Sequence, residues 1–528
     1  MRRLLSMVMA AAFAAGVGHT AMGGAEAQTL KWGSPREIGS LDPYSYGDTY
    51  ALSVLNHVYE GLVRYSGKQQ IEPALATAWT VVSPTIWRFT LRQGVTFHDG
   101  APFGADDVIA SLERITHPTS PMRGELHGYK SARKLDASVI EIELDSPNPL
   151  LLNDLTNVHI FNKAWLVANN SLLPTDAGKG VEGFATNNTN GTGPFKVVSR
   201  RRDTQTVFVR NAAWWDKPVH NLERIEFVPI TSAATRVAAM LSGEIDFTNS
   251  APLQDLSRLS ASPDIKVLQA NEVRSTFFGF NWRQRLVESD VQDKNPLRDI
   301  RVREAMYRGI DAAAIQSRAM RGLSRTTGAL VAPSIPGFTP ELDQRLPFDA
   351  AEARRLLTEA GYPNGFSFLM NCASDALINE EEFCQAVASM WSRIGLRPNL
   401  SIAPRSQQTP KRVRGEFDVV AFGWANEPTL DSSSLLTQVI HKKDAAAGVF
   451  NWGEWGDDRI DTLNAQAAVE NDATKRTAML TAAMKIAKDQ HMFLPMHQQP
   501  MAWAARSRIV SLVQNSDNKP RMWLTVVK

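Results

Sequence analysis

Short runs of β-branched and aromatic residues recur along this chain, each bounded by turn residues and separated from the next by a segment of helical periodicity. VIEIELD at 139–145, RIEFVPI at 224–230 and FDVVAF at 417–422 read as strands, because such side chains suit a pleated, half-buried surface. GADDVIASLERI at 104–115, SAATRVAAMLSG at 232–243, DAAEARRLLTEAG at 349–361 and NDATKRTAMLTAAMKIAKDQ at 471–490 read as helices. Asp349 is placed to cap one of them and Gly361 to end it, and Gly243 to end another. TYALSVLNHVYEGLVRY at 49–65 also carries helical periodicity. The pattern is mixed α/β. At 528 residues the chain exceeds one hydrophobic core, so two or three domains are expected. An apolar content of 43%, a charged content of 21% and a mean hydropathy of −0.23 argue against an integral membrane protein.

The first 27 residues differ from the rest. Arg2 and Arg3 precede an apolar stretch, and Ala25-Glu26-Ala27 supplies small residues for cleavage. The stretch is shorter than the roughly 20 residues of a membrane span. It reads as a secretory signal peptide, and no Cys follows it to take a lipid. Cleavage after Ala27 removes two positive charges and one negative, so the formal charge falls from +2 to +1. Such a balance gives no basic excess for nucleic acid. The two cysteines, Cys372 and Cys384, lie twelve apart in a chain addressed to an oxidising compartment, so a disulfide is expected; the other reading is two buried thiols. Without a paired His motif they do not read as zinc ligands.

No phosphate loop, zinc-protease motif or nucleophile elbow is present. GTGPFK at 191–196 has the wrong spacing for a phosphate cradle, and Pro194 removes a backbone donor. His491 and His497 in HMFLPMH read as structural or surface residues. The absence of such a constellation from the sequence favours binding over catalysis.

Six stretches, in order and spanning nearly all of the chain, carry a resemblance. They are VTFHDGAPFGADDV at 95–108, GTGPFKVVS at 191–199, RVAAMLSGEID at 236–246, RVREAMYRGID at 301–311, RRLLTEAGYPNGF at 354–366 and the segment around Trp424. Together they resemble family 5 extracellular solute-binding proteins, the dipeptide- and oligopeptide-binding proteins of ABC importers. The resemblance implies an α/β, two-lobed periplasmic binding protein fold, type II and cluster C-like. It has a two-strand hinge and an extra subdomain on the first lobe. The boundaries expected are a signal peptide at 1–27, first lobe at 28–58, its extra subdomain at 59–190, first lobe again at 191–275, second lobe at 276–493 and a first-lobe return at 494–528. Lobe crossings are expected near 272–281 and 493–499. Gly191, Gly193, Pro194, Phe97, His98 and Asp99 are expected to shape turns. The function implied is capture of a peptide or peptide-like solute by a periplasmic monomer that serves an ABC permease and ATPase complex. It calls for no cofactor, metal or catalytic residue. The same role with an opine, oligosaccharide, nickel complex or haem is the alternative. A secreted hydrolase, or a periplasmic chaperone or sensor, is a further one.

The resemblance also points to ligand residues. The strand ending in Gly423-Trp424 is expected to line the cleft and to pair with an extended peptide. Counting three residues on from Trp424 puts Glu427 where relatives hold the peptide ammonium; a rival register leaves that position empty and Glu427 on the rim. The basic residue twelve before the Trp is Arg412, whose other reading is a solvated turn beside Lys411 and Arg414. The loop at 373–382, ASDALINEEE, has no Arg, so the carboxylate clamp of a strict dipeptide binder is missing. Tyr44, Ser45, Tyr46 and Gly47, then Phe280 and Asn281, and Ala425 and Asn426 beside Trp424 complete the expected site. Trp424 has core packing as its other reading.

Overall fold

Two long antiparallel strands organise the chain in a computed structural model, which describes residues 28–45, 49–176, 180–427, 429–444 and 447–528. The signal-peptide reading of 1–27 and the candidate residues Tyr46 and Gly47 lie outside these. Chain order begins with β1 (Thr29–Ser34). A separate four-stranded antiparallel sheet follows, made by β2 (Ala76–Ser83), β3 (Ile86–Leu91), β4 (Tyr129–Lys134) and β5 (Val139–Leu144) in the order β2-β3-β5-β4. Next come β6 (Phe195–Arg201), β7 (Gln205–Arg210), β8 (Arg224–Pro229), β9 (Phe247–Thr248) and the sixteen-residue β10 (Ile265–Phe280). β11 (Arg325–Thr326), β12 (Ser367–Ala373), β13 (Arg397–Ala403), β14 (Val419–Trp424) and the fourteen-residue β15 (Phe493–Arg506) follow, and two small two-stranded sheets pair Val63–Tyr65 with Ile71–Pro73 and Ile509–Ser511 with Val526–Val527. One sheet of eleven strands runs β13-β12-β14-β10-β15-β9-β1-β8-β7-β6, with β11 joined to β15. Parallel pairing joins β12 to β13 and β14 at one end, and β1 to β8 and β9 nearer the other, where the sheet finishes in the antiparallel β8-β7-β6.

β10 and β15 join the two halves. Ile265 to Asn271 pair with Arg506 to Pro500 on one side, and Ser275 to Gly279 pair with Gln498 to Phe493 on the other, with the register broken between Asn271 and Ser275. Groups released by the break find other partners. Val273 donates its N–H to Ser516 O (2.8 Å), and Gln498 Nε2 donates to Glu272 O (2.7 Å). The Glu272 carboxylate accepts from Gln499 Nε2 (2.9 Å) and Asn518 Nδ2 (2.8 Å). Buried backbone polar groups are costly when unpaired, so this network holds the crossing.

The two motifs of the first half pack on each other. His98 N–H donates to Gly191 O (2.8 Å), His98 Nε2 meets Gly193 O (3.0 Å) and Lys196 Nζ donates to His98 O (2.8 Å). Asp99 and Asn190 exchange two bonds. The glycines shape a turn leading into β6, as expected. A Cβ on Gly191 would lie 1.9 Å from Val58 O, and one on Gly193 2.8 Å from His57 O. Here the structure corrects one helix. The segment at 49–65 is helical only over Thr49–Leu55, and Val63–Tyr65 is a strand. The carbonyls of His57 and Val58 accept from Phe195 and Gly193 (both 2.9 Å), so the backbone leaves the helix to meet the glycine turn. Asp349 caps Ala350–Glu359 by accepting from Ala351 and Glu352, and Gly361 follows at φ 91°.

Gly191→Ala is expected to cost more than about 3 kcal/mol in urea unfolding, since backbone cannot yield the space. Gly104→Ala, where nothing lies within 4 Å, is expected to cost no more than about 1 kcal/mol.

Candidate functional site

β14 buries Val419 to Phe422 and leaves Gly423 and Trp424 half-buried. One edge pairs with β10 along its whole length, ending at Ser275 opposite Trp424. The other edge meets β12 at only two positions, Val419 and Val420. Beyond them, β14 borders a cavity of about 290 Å³ that is lined by Arg274, Leu377, Glu380, Arg405, Arg412, Phe450, Trp452 and the chain from Ala421 to Glu427. A roomier hollow of about 710 Å³ lies over helix Ala473–Asp489, but it is open and walled by Ala and Thr on one helix, with Lys485 its single charge. Of these two, the first combines a strand edge with converging charged groups.

Helix α1 (Glu380–Arg393) and helix α2 (Arg405–Val413) frame one wall. Arg412 is buried inside α2 rather than solvated in a turn. Its Nε donates to Asn371 Oδ1 (2.7 Å), while Nη2 lies 3.6 Å from Glu380 Oε1 and makes no hydrogen bond among the described residues. Glu380 accepts from Ala373 N–H (2.6 Å) and Leu377 N–H (3.1 Å). Burial pushes its carboxyl up, against the pull of these bonds and of Arg412. Cys372 and Cys384 are bonded, as expected, with Cα atoms 6.7 Å apart. The bond ties the end of β12 to α1 and closes the loop at 374–379 at both ends. Cys372, Glu380 and Cys384 bring their ligand-type atoms within 4.8 Å, but the bonded sulfurs offer no thiolate to a metal.

The opposite wall is aromatic. Trp424 stands 5.3 Å from Phe450, centroid to centroid, and its Nε1 donates to Ser434 Oγ (3.0 Å). Asn426 sits at φ 53°, buried, with neither amide atom hydrogen-bonded among the described residues. Glu427 lies 3.2 Å from Lys519 Nζ, and burial raises its carboxyl above the ordinary range while Lys519 pulls it down. Asn153 Nδ2 donates to Thr429 O (2.9 Å), a second contact between the halves.

Arg412, Trp424, Ala425, Asn426 and Glu427 are therefore brought together. Tyr44, Ser45, Phe280 and Asn281 are not. Tyr44 is buried beside Arg114, its hydroxyl donating to His159 O (2.7 Å), and Ser45 donates to Asp42. Phe280 is core, and Asn281 Nδ2 is committed to Phe417 O (2.9 Å). His497 is buried against Phe383, with burial lowering its pKa to about 3, and His491 lies 4.0 Å from Glu304. Arg274, Glu380, Arg405 and Lys519 were missed. Arg274 lies among Asn271, Glu272, Ser275 and Thr276, where a charge draws no notice, and nothing local marks Lys519.

The profile described as bacterial extracellular solute-binding proteins, family 5 middle, matches residues 70–446. The periplasmic murein peptide-binding protein MppA of Escherichia coli (strain K12) is 28% identical over 508 residues, covering 90% of this chain and 88% of that protein. The glutathione-binding protein GsiB of the same strain is 24% identical over 469 residues, covering 87% and 86%. The structure of HbpA2 from Haemophilus parasuis superposes with a TM-score of 0.79 at 23% identity, covering 95% of this chain and all of that one. The fold is thus the two-lobed one.

In exported protein a non-reduced digest should yield Cys372 and Cys384 in one linked peptide. Replacing both with Ala is expected to lower stability by about 3 kcal/mol in urea unfolding, the loop-closure value for so short a ring.

Proposed function

The chain belongs to the bacterial extracellular solute-binding proteins of family 5, and from that premise we propose that it is the binding component of an ABC importer for a peptide or peptide-like solute that carries a carboxylate. The observation that carries this reading is the edge of β14 beyond Val420, which pairs with no strand among the described residues and faces a cavity in which the buried Arg412 Nη2 has no hydrogen-bond partner among them. An extended backbone laid along residues 421–424 would continue the sheet. Trp424 and Phe450 would wall the solute's side chains. Arg412, with Arg405 beside it, would take the carboxylate, since a guanidinium offers paired donors to its two oxygens. Relatives named for a murein peptide and for glutathione support a peptide-type ligand.

The proposed site is therefore Arg412, Trp424, Ala425, Asn426 and Glu427, joined by Arg274 and Arg405. The lobes divide at the register break of β10 and β15, consistent with a first lobe of 28–58, 191–275 and 494–528, a subdomain of 59–190 and a second lobe of 276–493. We assign the chain no catalytic activity: its relatives are solute-binding proteins, and the charged groups of the cavity serve recognition. It works as a periplasmic monomer with no nucleic-acid partner. No helix among the described residues is long and apolar enough to cross a membrane.

Native mass spectrometry of protein purified from the periplasm without denaturation should show a retained solute. Calorimetry with that solute should find Arg412→Ala weaker by about 2–5 kcal/mol, the cost of truncating one partner of a buried charged pair. Methyl esterification of the solute should abolish the difference between wild type and variant. Equal binding of acid and ester by the wild type would contradict the carboxylate reading.

A further inference from the structure

Glu427 already holds a cation of its own chain. Lys519 Nζ lies 3.2 Å from its carboxylate, and both side chains are only 12% exposed. The neighbouring carboxylate is not free to take Lys519 instead: Asp517 accepts two bonds from Arg521, at 2.7 and 3.3 Å. The Lys519 backbone is held as well, its N–H donating to Asp517 Oδ1 (3.2 Å) and its carbonyl accepting from Arg521 Nη1 (3.2 Å). Among the described residues Glu427 and Lys519 have no other ion-pair partner. Across the cavity the balance is reversed. Glu380 is matched by Arg412 and two backbone N–H groups, whereas Arg405 makes no ion pair among the described residues and Arg412 Nη2 makes no hydrogen bond. Both carboxylates of the cavity are thus matched, and guanidinium donors remain. An incoming ammonium at Glu427 would meet Lys519 in a poorly hydrated gap, where repulsion between like charges is weakly screened.

We propose that Lys519 is a specificity-determining residue: by occupying the cation position of Glu427, it selects peptide-like solutes whose amino end is blocked or absent against those with a free ammonium. This rests on the peptide reading above and deepens it. Lys519 excludes by charge, a repulsive element of the kind that specificity requires.

The test offers the full mature protein, stripped of retained solute, a pool of acidic tripeptides in which each sequence is present in equal amounts with a free and an N-acetylated terminus. Native mass spectrometry reads the ratio retained. Wild type is expected to favour the acetylated forms by about tenfold or more, given the cost of like-charge juxtaposition. Lys519→Met should bring the ratio to one or below, and Lys519→Arg should keep it. A wild-type preference for free termini overturns the proposal without need of any variant. A ratio that Lys519→Met leaves unchanged also overturns it, because a contact that merely latches the lobes would change both forms alike. Retention of neither form by either protein overturns the peptide reading itself, and this inference with it.

Discussion

The antiparallel pairing of β10 with β15 joins the two halves of the sheet, and the register break at 271–275 decides what those strands can do there. A continuous ladder would be stiff and would leave nothing for neighbouring segments to bond. The break instead frees the Val273 N–H for Ser516 O in the C-terminal return and the Glu272 carbonyl for Gln498 Nε2, while Asn518 holds the Glu272 carboxylate. The same strands set the site. β14 is positioned by β10, and the cavity opens where β12 departs from β14 after two pairs. Lys519 reaches Glu427 from the segment that also closes the crossing. Sheet crossing, strand edge and the contact of Lys519 with Glu427 are thus three results of one pairing.

Much of the fold was legible in residue pattern because local chemistry and global fold agree. Asp349 and Gly361 bound a helix as their side-chain and backbone preferences require. The glycines of GTGPF are needed because the carbonyls of residues 57 and 58 press against them. The periodicity at 49–65 overran its helix because those carbonyls are claimed by the glycine turn 135 residues away, and no local rule reports such a claim.

The site was legible in part. The family resemblance, not any local pattern, pointed to the strand ending in Gly423-Trp424 and to Arg412, and both line the cavity. Tyr44 and Asn281 were expected at the ligand and are instead bonded within the core, since a polar group in sequence looks the same whether it faces a cleft or a carbonyl. Glu380 and Lys519 escaped because each acquires its role from a partner far away in sequence, Arg412 in one case and Glu427 in the other. The disulfide adds order where it matters, holding the loop between Cys372 and Cys384 beside the cavity.

The central claim is that the lobes close over a solute held at the end of β14. Small-angle X-ray scattering compares it directly, on protein carrying its retained solute and on the same protein stripped and refolded. The account predicts a smaller radius of gyration for the loaded form, returning when solute is added back. Identical scattering from loaded and stripped protein, with retention confirmed by mass, would contradict it.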